Sequence, residues 1–314
     1  MGTHRNTRRL TALVAVLLLT LAAGPALALP GLLPADNIWN TSVAGLPVDA
    51  HSAAYVASIG AGSSLHPDFG SGLWQGQPIG IPYNIVGAGQ AKVKVSFDYA
   101  DESDPGPYPI PAGAAMEGGG DGHLLVVDQA GHRLYEVFDA SQNADGTWSA
   151  GSGAVWDYQS NALRPAGWTS ADAAGLPILA GLVTYDEVAA GHIDHALRFT
   201  APRTQDAYVW PARHEASSSS DPSLPPMGQR FRLKSDFDSS GFAAPVRVIL
   251  EALKNYGMML ADNGSPWYIS GAPDDRWNDD QLVSQLRRVP GSAFEAVDVS
   301  ALMINPDSGQ ARQP

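Results

Sequence analysis

Residues 92–99, KVKVSFDY, alternate Val93, Val95, Phe97 and Tyr99 with Lys92, Lys94, Ser96 and Asp98, the period-two pattern of a strand with one buried face. HLLVVD (123–128) is apolar through its middle, which predicts a strand covered on both faces; GHRLYEVF (131–138) follows a glycine-containing turn and completes a hairpin. GAVWDY (153–158), HALRFT (195–200), DAYVWPA (206–212), QRFRLK (229–234), MMLADN (258–263) and WYIS (267–270) read as further strands. Helical periodicity is scarcer. Thr169 with Asp172, and Thr184 with Glu187, have the spacing of capping boxes and predict two helix starts, the second stopped by Gly191. PVRVILEALKNYG (245–257) has an apolar stripe of Val246, Ile249, Leu250 and Leu253 between an N-terminal proline and a terminal glycine. DDQLVSQLRR (279–288) matches the helix dipole, with acids first and arginines last. The predicted fold is mainly β, a β-sandwich or jelly-roll-like arrangement with a few short helices. Residues 29–314 read as a single β-rich domain, in which EASSSSDPSLPP (215–226) is a surface loop or a linker.

Composition narrows the compartment and the partners. Residues 1–28 have a basic start at His4, Arg5, Arg8 and Arg9, an apolar run, and a small-x-small site at Ala26-Leu27-Ala28; they read as a signal peptide, so the expected localisation is secreted, extracellular or periplasmic. The apolar run is shorter than the roughly 20 residues needed to span a bilayer, so no membrane association is expected after its removal. The chain has a net charge of −13, falling to −16 once the leader and its three arginines are removed. A surface so acidic repels nucleic acid. With no cysteine, neither disulfides nor thiolate metal and redox chemistry are available.

The candidate chemistry is spread along the chain. In GHIDHALRFT, His192 and His195 flank Asp194, but residues three apart on a strand face opposite ways and HExxH is absent, so no metal site is expected. His195 shares parity with Leu197 and Phe199 and is either a buried structural histidine or a site residue at the mouth of a concave sheet; Asp194 is a turn residue or orients a histidine. In YVWPARH, Tyr208, Trp210 and His214 share parity, giving an aromatic platform that could stack on sugar rings, beside Arg213, which could grip a carboxylate. Arg230 belongs to a basic row with Arg232 and Lys234. His123, near Asp121, stands where a Gly-rich loop meets a strand. Glu136 shares parity with Leu134 and Phe138, and a carboxylate on an apolar side has a raised pKa suited to a general acid. Asp262, Asp274 and Asp275 are explained by turn chemistry, and Trp267 and Trp277 are expected at the surface. EF-hand, phosphate-loop and nucleophile-elbow motifs are absent, and no cofactor is implied.

The phrases SNALRPAGWTSADAAGLPILAGLVTYDEVAAGHIDHALRFT, YVWPARH, LPPMGQRFRLK and ALKNYGMMLADNG resemble, in that order, a group of secreted bacterial hypothetical proteins. The resemblance implies export and a shared fold and assigns no catalytic residue. Eight tryptophans, ten tyrosines and acid, histidine and arginine candidates at strand ends lead to the expectation of a secreted carbohydrate-active enzyme that cleaves glycosidic bonds of a polysaccharide or oligosaccharide. A hydrolase would use two carboxylates, with Glu136 and Asp194 or Asp121 as the pair. A lyase would pair Arg213 or Arg230 with His195, His214 or Tyr208. The alternatives are a non-catalytic glycan-binding module and a structural envelope protein.

Overall fold

The computed structural model describes residues 32–313, so the predicted signal peptide lies outside the described residues. Strand residues outnumber helix residues, 26% to 17%, and the strands form several open sheets compatible with a β-sandwich-like fold. The largest sheet has the order His66–Asp68, Tyr268–Ser270, Leu197–Ala201, Met258–Asn263, Arg230–Leu233 and Phe294–Ala296. It is mixed: His66–Asp68 runs parallel to Tyr268–Ser270 and Leu197–Ala201 parallel to Met258–Asn263, while the other pairs are antiparallel. A four-stranded sheet has the order Ser152–Asp157, Arg133–Phe138, Leu124–Asp128 and Tyr83–Val86, with the hairpin that the alternation predicts at its centre. Val95–Phe97, Trp148–Ala150 and Ser141–Gln142 form a third sheet, and Leu73–Trp74 pairs with Gln77–Pro78.

The helices follow their sequence signals. Ala244–Asn255 has Pro245 in its first turn and buries Val246, Ile249, Leu250 and Leu253. Tyr185–Ala190 starts at Thr184, whose hydroxyl accepts from the Glu187 N–H and donates to the Glu187 carboxylate at 2.6 Å. Gly191, at φ 92°, ends it in the left-handed region where a side chain would be strained. Asp279–Leu286 is capped by Asn278, which accepts from Gln281 N at 3.0 Å. Ser52–Ile59 is a helix that the pattern does not announce.

Three local expectations need correction. DAYVWPA forms no strand: Tyr208 makes one isolated bridge to Met227, and Pro211 has no N–H to extend a ladder. Thr169 starts no helix, because Ser170 folds the chain on itself through Asp172 N and the carbonyls of Asp172 and Leu176, and Gly175 and Pro177 follow. Trp267 and Trp277 are core residues, 0% and 5% exposed. Trp267 stacks between Phe199 and Phe294, at 5.7 and 5.2 Å between centroids. Residues 215–226 are tied to residues 205 and 206 by backbone hydrogen bonds of 3.1 and 2.7 Å, and the strands on either side, Leu197–Ala201 and Arg230–Leu233, belong to one sheet, where both pair with Met258–Asn263.

The segment from Ser170 to Val183 packs against both sheets. Its Ile178, Leu179 and Leu182 join the four-stranded sheet's Leu125, Val127 and Leu134, while Leu176, Ala180 and Val183 join the core of the largest sheet. Each sheet supplies one buried charge to hold it. Glu136 accepts from Ile178 N (3.0 Å), Leu179 N (2.8 Å) and Trp156 Nε1 (3.0 Å); Arg198 donates twice to the Asp172 carboxylate, at 2.8 Å each. Gly181 lets this segment approach, since a Cβ there would lie 2.8 Å from the Arg198 Cβ and 2.9 Å from its N.

Burial raises Glu136 to about 7, against the three N–H donors that favour its carboxylate. A group raised in the folded state stabilises fully below its ordinary value of 4.5 and loses that contribution as pH rises through about 7. Glu136→Gln sets an amide NH2 against N–H donors and is expected to cost about 1–3 kcal/mol. Chemical denaturation from pH 4 to 8 checks both effects: the variant has a lower midpoint and a flatter slope across that window.

Candidate active site

Beside the clamped segment lies a cleft of about 280 Å³, lined by Tyr99, Glu102, Phe138, Asp172, His214 and Asp262 together with small residues of 169–173 and Ser152. Its volume is at the small end of ligand pockets, roughly 300–1,000 Å³. Asp262 comes from the end of Met258–Asn263, and Phe138 from the end of Arg133–Phe138. Tyr99 and Glu102 follow Val95–Phe97, Glu102 closing the 3-10 turn Ala100–Glu102.

Asp262 is held above the usual carboxylate range, at about 6. Burial is the main cause and the Asp172 charge adds to it; Arg198 opposes both. That opposition is weak because the Arg198 guanidinium is engaged by both Asp172 oxygens and reaches Asp262 only at 3.5 Å. Glu102 accepts from Thr169 N at 2.9 Å, and His214 Nε2 stands 3.8 Å from its carboxylate. His214 Nδ1 lies 2.9 Å from the Ala173 carbonyl, an acceptor only, so Nδ1 carries a proton and Nε2 faces Glu102. Tyr99, 58% exposed, leaves a ring face open at the rim.

Strand register explains how Arg198 arrives here. Phe199 opposes Ile269 and Thr200 opposes Tyr268, which places Arg198 across from Ser270, itself the partner of Asp68. Arg198 Nη1 donates to Ser270 Oγ at 2.6 Å. One face of this strand therefore carries Phe199 into the aromatic core, and the other carries Arg198 under the cleft. A second buried arginine braces the other side. Arg164 donates to Asp104 and to the carbonyls of Glu102 and Thr169, each at 2.6 Å, with its guanidinium near Trp156 and Trp168.

The sequence candidates are distributed unevenly around this cleft. His214 lines it. His123 supports its wall from behind: Nε2 lies 3.0 Å from the carbonyl of Ala171, and Nδ1 bonds the Glu117 carboxylate. Burial alone would lower the His123 pKa, but Glu117 raises it, and two acceptors require both ring nitrogens to carry protons. Glu136 is fully buried and committed to the clamp. His195 is buried against Glu187 (3.0 Å) and the Ala196 carbonyl (2.8 Å), fastening the helix Tyr185–Ala190 to the sheet. Asp194 is exposed, 3.5 Å from His192.

The sugar-platform residues are engaged elsewhere. Trp210 Nε1 donates to Ser308 O at 2.8 Å, and Tyr208 packs partly buried against the main core. Arg213 donates to Pro306 O and Asp307, at 2.6 and 2.7 Å. Arg230, 1% exposed, donates to the carbonyls of Ile38 and Tyr256. Both arginines are buried and neither lines the cleft, so neither is placed to receive a substrate carboxylate there.

Sequence reading does not single out Glu102, Arg198 or the rim position of Tyr99, and it assigns Asp172 to a helix cap and Asp262 to a turn. Among the described residues, no three His, Asp or Glu side chains are placed to hold a metal ion, and no helix is long and apolar enough to cross a membrane. No family model, curated protein or solved structure matches the chain.

Proposed function

We propose that this protein is a secreted carbohydrate-active enzyme that hydrolyses glycosidic bonds, with Asp262 as general acid and Glu102 as the second carboxylate. The observation that carries this reading is the pairing, on one cleft, of Asp262 held at about 6 with the carboxylate of Glu102. Glycoside hydrolysis needs such a division of labour: one carboxyl protonates the departing oxygen, and the other activates water or attacks the sugar. Asp262, raised by burial and Asp172, retains its proton up to about pH 6, as a general acid must. His214 and Thr169 N orient Glu102, and Tyr99 offers a face for a sugar ring. The engagement of Arg198 by Asp172 and the absence of Arg213 and Arg230 from the cleft lining favour hydrolysis over elimination, which requires a cation for the uronate carboxylate.

The test is incubation of residues 29–314 with neutral, amino-sugar and uronic-acid polysaccharides, following reducing ends and ultraviolet absorbance together. New reducing ends without absorbance are expected. Absorbing, unsaturated products overturn hydrolysis, and retention of a glycan without cleavage of any overturns the enzyme. On the substrate so found, Tyr99→Ala is expected to raise KM roughly 2–10-fold with kcat little changed, corresponding to about 0.5–1.5 kcal/mol of lost stacking. Steady-state kinetics separates the two constants.

A further inference from the structure

The charge balance of the cleft bears on which sugars it holds. Glu102, Asp172 and Asp262 line it, and no lysine or arginine does. The arginines beneath it are already engaged: Arg198 by both Asp172 oxygens, and Arg164 by Asp104 and two carbonyls. The one basic side chain on the lining, His214, faces Glu102. Behind the wall, the cation of His123 is matched by Glu117. Asp172 is buried against Arg198 and Asp262 holds its proton as the acid, so Glu102 is the carboxylate that a ligand meets, with no lysine or arginine on the lining to neutralise it, and the surrounding chain is strongly acidic.

A second feature points the same way. Tyr99, 58% exposed on the rim, presents an electron-rich ring face on the same cleft as these carboxylates. A cation over such a face is attracted by the ring quadrupole in addition to the charges below it. An uncharged sugar gains only stacking there, and a uronate meets like charge with no cation to receive it.

We infer that the cleft selects sugars carrying a protonated amine, that is, de-N-acetylated amino sugars, over neutral sugars and uronic acids. This rests on the glycan-cleft reading above and gives that cleft its substrate class. The amine lies against Glu102 and the Asp262 side of the cleft, with the sugar ring on Tyr99. The selectivity is electrostatic, so it weakens with salt as the Debye length shortens from about 10 Å at 0.1 M to about 3 Å at 1 M.

Monosaccharides test this independently of linkage and of catalysis. Binding of glucosamine, N-acetylglucosamine, glucose and glucuronate is followed by protein-observed NMR at low and high salt, in the wild type and in Glu102→Gln. Glucosamine is expected to bind about tenfold more tightly than the other three at low salt, an advantage that shrinks at 1 M salt and in Glu102→Gln. Equal or tighter binding of glucuronate or N-acetylglucosamine overturns the inference, as does an amine preference that neither salt nor Glu102→Gln reduces, or no binding of any sugar. Cleavage of neutral polymers without amine preference sinks the inference and leaves the hydrolase standing. Amine-selective binding with no polymer cleaved does the reverse.

Discussion

Asp262→Asn is expected to lower kcat/KM about 10²–10⁴-fold, the range associated with a positioned general acid, while leaving the protein folded. The fold survives because the Arg198 guanidinium is already satisfied by Asp172 and Ser270, and its 3.5 Å approach to Asp262 adds little. Stability should move the other way from activity. A carboxyl raised from 3.8 to about 6 stabilises the fold fully at low pH and loses that contribution as pH rises through about 6. At pH 8 the ionised side chain therefore costs up to about 3 kcal/mol, and the neutral amide removes that cost. Parallel assays of cleavage and thermal unfolding at pH 8 check this: an inactive variant at least as stable as the wild type identifies a group held for chemistry, whereas an inactive and unstable one indicates a structural role.

Arg198→Met is expected to have the largest effect on stability. It leaves the Asp172 carboxylate, in a residue 1% exposed, without its cation and deletes the hydrogen bond to Ser270. Breaking a buried pair in this way costs about 3–5 kcal/mol, which lowers Tm on the order of 10 °C in a chain of this size. Asp172→Asn in the same background should recover part of the loss, because no unpaired charge then remains in the interior. A double-mutant cycle by calorimetry measures the coupling. A loss below about 1 kcal/mol for Arg198→Met would mean that the segment Ser170–Val183 is held by apolar packing and the Glu136 hydrogen bonds, with no net contribution from the Arg198–Asp172 pair.

Much of the β architecture is legible from the sequence because burial dictates alternation. HLLVVD and RLYEVF pair as a hairpin, and MMLADN and HALRFT become neighbours in one sheet. The site is much less legible. Its groups come from residues 99–102, 169–173, 198, 214 and 262, single positions that only topology brings together. Arg198 occupies the polar phase of an alternating strand, where a solvated side chain is the ordinary expectation; it is buried because a loop from the other sheet covers that face. Asp262 sits before Asn263 and Gly264, and turn chemistry accounts for it locally. Glu136 shows the converse: parity places it with Leu134 on the apolar side, but cover by Ile178 and Leu179 makes it a clamp with no access to substrate. Tyr208 and Trp210 share parity only if the chain is extended, and Pro211 interrupts that run.

The most direct test of Asp262 as the acid is the pH dependence of kcat/KM on the polysaccharide that the protein cleaves. Because the acid must hold its proton in the free enzyme, the profile is expected to fall above about pH 6, following the value at which burial and Asp172 hold Asp262. A profile that stays level from pH 5 to 8 would contradict the assignment.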